Sequence, residues 1–131
     1  MQFTLTYYKQ VTSGWDGTSK YTDGDPSISF VITFVDTAGK KTTKQTGTLL
    51  SLDDRGSWSG AKTANYSVPK GTENITVKPS VVDKDAAFDD DYSSGYSYTA
   101  YYVGYLDNYE VVEQEDDSST KYDLEWEWYL Y

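Results

Sequence analysis

A strict two-residue hydrophobic period restricts this chain to extended structure. Ile28, Phe30, Ile32 and Phe34 recur at every second position between Ser27 and Val35, and Leu124, Trp126, Trp128 and Leu130 do the same at the other end of the sequence. A helix returns to one face every 3.6 residues or so, whereas a strand returns every two, so only a strand gathers each set on a single face. In the second run the intervening positions are Asp123, Glu125 and Glu127. One face is apolar and the other acidic, which requires a sheet that is dry on one side and wet on the other. Composition agrees: aromatics make up 17% of the residues, mostly tyrosine, and Thr, Ser and Val outnumber good helix formers.

Further strands follow from the same pattern between turn-forming clusters. Gln2–Tyr8 places Phe3, Leu5 and Tyr7 on one side, and Asp36-Thr37-Ala38-Gly39 supplies a turn into a strand over Lys40–Leu50 whose first half, KKTTKQT, is basic. The span Trp58–Val68 puts Trp58, Ala64, Tyr66 and Val68 on even positions, and Glu73–Val82 puts Ile75, Val77 and Val81 on odd ones. Tyr96–Tyr105 reads as an aromatic strand, Tyr109–Val112 as a short one, and Glu113–Thr120 as a polar connection. With no helix and no internal repeat, the expectation is an all-β chain: one domain over residues 1–131, folded as a single antiparallel β-sandwich of seven to eight strands.

What is missing narrows the chemistry. There is no cysteine and no histidine, which removes disulfides, thiolate metal sites, Ser-His and Cys-His nucleophiles and the common transition-metal ligands. A formal net charge of −10, with Arg55 the one arginine, excludes a nucleic-acid binder, because such proteins neutralise phosphates with clustered cations. No apolar run approaches the roughly 20 residues of a transmembrane segment. MQFTLTYYKQ lacks the charged start and apolar centre of a signal peptide. The expectation is a soluble chain of undetermined compartment.

Carboxylates are therefore the chemistry that remains, and they are clustered. In Val81–Gly95, VVDKDAAFDDDYSSG, Asp83, Asp85, Asp89, Asp90 and Asp91 follow an apolar strand. A second set, Asp16, Asp23 and Asp25, lies in the long polar stretch Thr12–Pro26. Two like charges about 4 Å apart repel by roughly 1 kcal/mol in water and by several times more where solvent is partly excluded. Ca²⁺ relieves such crowding, since it takes about six to eight oxygen ligands in flexible geometry. The plainer reading is a solvated acidic turn. In a sandwich, loops gather at the two ends, so both acidic stretches have a way to meet.

The pattern resembles the C2 domains, eight-stranded sandwiches that bind Ca²⁺ through aspartates in two loops at one end and often dock on acidic membranes. The family's third loop, Asp-x-Asp with a later Asp and Gly, is similar to Asp83, Asp85, Asp91 and Gly95. Its first loop is similar to Asp16 and Gly24-Asp25-Pro26, its lysine-rich strand to Gly39–Lys44, and its fourth-strand tryptophan to Trp58. The resemblance implies Asp16, Asp25, Asp83, Asp85 and Asp91 as calcium ligands, with Asp23 and Asp90 as substitutes. It further implies a non-catalytic recognition module with calcium as cofactor and a phospholipid surface as partner. The interval Asp16–Asp25 is longer than in the family, and Arg55-Gly56-Ser57 stands where an asparagine-proline precedes the tryptophan.

Two other classes compete. A carbohydrate-binding or adhesion module would stack sugars on exposed aromatics, for which Trp15, Trp58, Tyr92, Tyr96 and Tyr98 are the candidates, whereas Trp126 and Trp128 read as core. A carboxylate hydrolase would need a selected pair of acids. Glu113, Glu115, Glu125 and Glu127 instead read as solvated, so no enzymatic activity is expected.

Overall fold

In the computed structural model the described residues are 1–10, 25–53, 56–83, 91–94, 98–101, 109–114 and 122–130. They form ten strand segments: β1 (Gln2–Gln10), β2 (Pro26–Asp36), β3 (Lys41–Gln45), β4 (Leu50–Ser51), β5 (Ser57–Asn65), β6 (Thr72–Asp83), β7 (Asp91–Ser94), β8 (Tyr98–Tyr101), β9 (Tyr109–Gln114) and β10 (Tyr122–Tyr129). One sheet has the order β5-β1-β10-β9. In the other, β2 and β6 pair centrally, β3 and β4 share the outer edge of β2, and β7 and β8 share the outer edge of β6. The ten segments thus occupy eight lateral positions, four in each sheet. All pairings among the described strands are antiparallel, and the architecture is the expected sandwich.

The alternating residues identified in the sequence make the core. Ile28, Phe30, Ile32 and Phe34 from β2 meet Phe3, Leu5 and Tyr8 from β1 and Leu124, Trp126 and Trp128 from β10 in one buried cluster. Phe30 bridges the sheets, its ring edge-on to Phe3 at 4.7 Å and to Trp126 at 5.5 Å between centroids. Such aromatic pairs contribute about 0.5–1.5 kcal/mol beyond the burial of their area.

Three expectations are corrected. First, the alternation in β1 does not run through: the register shifts between Leu5 and Tyr7, so Tyr8 is fully buried and Tyr7 is half-exposed. A bulge at Thr6 inserts one extra residue and exchanges the two faces beyond it, and the Thr6 hydroxyl donates to the Glu125 carbonyl at 3.1 Å. Second, Lys40–Leu50 is two strands rather than one. The break falls at Thr46 and Gly47, whose φ of +65° suits glycine, and the Thr46 hydroxyl accepts the Phe30 N–H at 3.0 Å. Third, strand structure reaches further than expected into polar sequence. Asp91 opens β7 and Glu113 and Gln114 belong to β9, because backbone pairing to Asp83 and to Glu125 and Leu124 satisfies those peptides.

The β2–β6 pair shows why both of its flanks are split. Phe30 directs its N–H and C=O outward to Thr46, so it forms a non-hydrogen-bonded pair with Pro79. The nitrogen of Pro79 therefore points to the opposite flank, between Ser80–Ser94 and Val77–Tyr98, where β7 and β8 part. Proline cannot donate to a ladder, and here the missing donor falls where the ladder is broken.

Candidate functional site

Strand direction decides which segments share an end of the sandwich. β1 finishes at Gln10, β2 starts after Asp25, β6 finishes at Asp83 and β7 starts at Asp91. The Leu52 N–H donates to Pro26 O at 3.0 Å and the Gln10 N–H to Gly56 O at 2.7 Å, so the crossing from β4 to β5 ties the two sheets together at this same end. Residues 11–24, 84–90 and 115–121 all leave from and return to strand ends located here.

Across the β2-β6-β7 sheet the register is explicit. Pro26 pairs with Asp83, and Asp83 pairs with Asp91. Asp25, Asp83 and Asp91 thus occupy the ends of three consecutive strands. Direct antiparallel partners have Cβ atoms about 4.5–5.5 Å apart, and like charges at such positions destabilise a sheet. Asp25 is half-buried and has an interaction partner.

Asp16, Asp23, Asp85 and Asp90 lie outside the described residues, and Asp83 and Asp91 are placed by their backbone pairing. Among the described residues no group of three or more Asp, Glu, His or Cys side chains converges to hold a metal. The sequence offers neither thiolate nor imidazole here, so its aspartates suit a hard cation such as Ca²⁺ rather than a sulfur- or nitrogen-seeking metal. No described residue lies in a helix long and apolar enough to cross a membrane.

The lysine-rich segment is an edge strand: β3 pairs with β2 alone among the described strands, and Lys40, Lys41 and Lys44 are exposed. Of the aromatic candidates for sugar stacking, Trp15 and Tyr96 lie outside the described residues, Tyr92 and Tyr98 are strand positions, and Trp58 is half-buried against the core. Trp126 and Trp128 are core residues, as the alternation indicated.

Sequence reasoning missed one concavity. Tyr7, Lys9, Ser57, Trp58 and Ser59 line an open hollow of about 350 Å³ between β1 and β5. Its signal in the sequence is slight, because the bulge that exposes Tyr7 and Lys9 breaks the alternation by which a strand is recognised.

No protein family matches the chain, and no curated protein matches it by sequence. Solved structures do. Human GIVD cytosolic phospholipase A2 superimposes with a TM-score of 0.55 at 14% identity, covering 96% of this chain and 15% of the phospholipase. The same enzyme in complex with methyl gamma-linolenyl fluorophosphonate gives 0.51 at 12% identity, covering 96% and 16%. This chain spans well under a fifth of those proteins, and at such identity the likeness is one of fold.

Proposed function

We propose that this chain is a calcium-binding, C2-like recognition module without catalytic activity. The ion would be held between the two aspartate-rich segments at one end of the sandwich. The observation that carries the reading is the register Pro26–Asp83–Asp91, which brings Asp25, Asp83 and Asp91 to one sheet end from sequence positions far apart. Asp16 and Asp85, with Asp23 and Asp90 as substitutes, would complete the oxygen set from segments that begin and finish at that end. The likeness in fold of nearly the whole chain to a portion of a cytosolic phospholipase A2 supports the C2-like part.

In this role Ca²⁺ supplies charge neutralisation and cross-links two connections. A phospholipid surface is the partner the C2 resemblance favours; the exposed Lys40 and Lys41 lie at the other end of β2 from Asp25 and Asp83, so docking at the acidic end would rest on the ion, and a glycan is the competing partner. Calcium at a hundredfold excess over its dissociation constant should raise stability by about 2.7 kcal/mol, on the order of 10 °C in Tm. Melting in millimolar calcium against chelator tests this, and identical curves would remove the reading. Co-sedimentation with phosphatidylserine vesicles, with and without calcium, then separates a lipid-docking module from one that binds the ion alone.

A further inference from the structure

We propose that the outer face of the β2-β6 sheet docks onto the outer face of the β1-β10 sheet of a second copy of this chain. The two surfaces differ in sign. In β2, Ser29, Val31, Thr33 and Val35 face away from the core, because Ile28, Phe30, Ile32 and Phe34 face into it. The register sets Lys41 of β3 beside Val35 and Lys78 of β6 beside Val31, and both lysines are exposed. No acidic residue occupies an outward position of β2 from Ser27 to Val35, of β3, or of β6 from Asn74 to Val82, in a chain with 21 of them. The face is therefore partly aliphatic along β2 and cationic on both of its flanks. Lys78 also stands where β7 and β8 part, with no partner on that flank among the described strands.

The other face of the sandwich is acidic. Asp123, Glu125 and Glu127 are the outward positions of β10, whose Leu124, Trp126 and Trp128 are buried. Lys9 stands opposite Asp123 and offsets it, but Glu125 lies between Tyr7 and Glu113, and Glu127 between Thr4 and Val111. The Glu125–Glu113 pair sets two like charges at opposed positions, a repulsion that a cation from outside the sheet relieves. Tyr129, the one exposed large hydrophobic residue among those described, ends the same row. Exposed tyrosine is enriched in interfaces.

Contact between unlike faces is the arrangement that brings lysines to carboxylates. Each copy carries one face of each sign, so the contact is heterologous and repeats from copy to copy. The net charge of −10 opposes approach, yet charges more than about 8 Å apart are largely screened at physiological salt, so the sign of the touching faces decides. Four strands about 4.8 Å apart and roughly nine residues long give a footprint of about 600 Å². A stable interface buries about 800 Å² per partner, so this one is weak and forms at high protein concentration. The proposed ion site lies at the strand ends, off both faces.

Sedimentation velocity on the full chain in chelator, from micromolar to millimolar concentration, tests this. The weight-average mass should rise with concentration and pass that of a dimer. Lys78→Glu, Lys41→Glu and Glu125→Lys, all at outward positions, should each move the onset to about tenfold higher concentration, as expected when like charges are juxtaposed across a contact. An equal mixture of Lys78→Glu and Glu125→Lys should associate again, because the intact acidic face of the first meets the intact basic face of the second. A parent that stays monomeric throughout, or stops at a dimer, would overturn the proposal. So would variants that associate like the parent, or a mixture no better than its components. Because calcium is absent, the outcome is separate from that of the calcium melt.

Discussion

Asp83 and Asp91 are direct backbone partners where β6 finishes and β7 starts, with Pro26 on the other flank of Asp83. Two formal negative charges at opposed positions oppose pairing by about 0.2–1 kcal/mol unless something neutralises them. The relationship predicts opposite responses in two buffers. Asp91→Asn should melt about 1–4 °C higher than the parent in chelator, through relief of repulsion, and should gain less from millimolar calcium. A variant that melts lower in chelator and gains as much from calcium would place Asp91 outside the ion site.

Gly60→Ala should destabilise the chain. The added methyl meets the rigid Trp58 ring at 2.7 Å, closer than any real contact, and overpacking of this kind costs about 1–3 kcal/mol. Trp58→Leu removes the obstacle, so adding Gly60→Ala to it should cost distinctly less than in the parent. Urea denaturation of the four proteins in the cycle measures the coupling; strict additivity would show that the contact is not the cause.

Thr46→Val should cost about 1–2 kcal/mol although it keeps the side-chain shape. The Thr46 hydroxyl accepts the Phe30 N–H at 3.0 Å at the level where both flanks of the central pair are split, and valine leaves that amide without its acceptor. The Thr46 N–H still donates to Phe30 O at 3.0 Å, so the strand remains attached. Chemical denaturation gives the magnitude, and faster hydrogen exchange at Phe30 gives the location.

Burial pushes the Tyr66 phenol above its ordinary value. The folded state therefore disfavours the phenolate, and the contribution of this group is fully present below the unfolded pKa of about 10 and lost as pH rises through the raised folded value. Tyr66→Phe removes that dependence. The stability difference between parent and variant should be constant up to about pH 10 and then shift in favour of the phenylalanine variant as pH rises further; a difference that stays flat to higher pH would contradict it.

Much of the core was legible without coordinates. Phe3, Leu5, Ile28, Phe30, Ile32, Phe34, Ile75, Val77, Val81, Leu124, Trp126 and Trp128 are buried as their alternation requires, because facing direction in a strand is a local property of the backbone. Beyond Thr6 that reading fails: a bulge is selected by the neighbouring strands rather than by its own sequence, and Tyr8, not Tyr7, enters the core. For the same reason the hollow at Tyr7 and Lys9 left little trace in the sequence.

The sequence by itself determined that this chain forms strands, that it has no thiol or imidazole, and that most of its aspartates are gathered into a few polar stretches. It did so because period and side-chain type act over a few residues. Tertiary structure alone decided that Asp25, Asp83 and Asp91 end three adjoining strands, since strand order and register are set by packing two sheets around Phe30 and Trp126, contacts between residues distant along the chain.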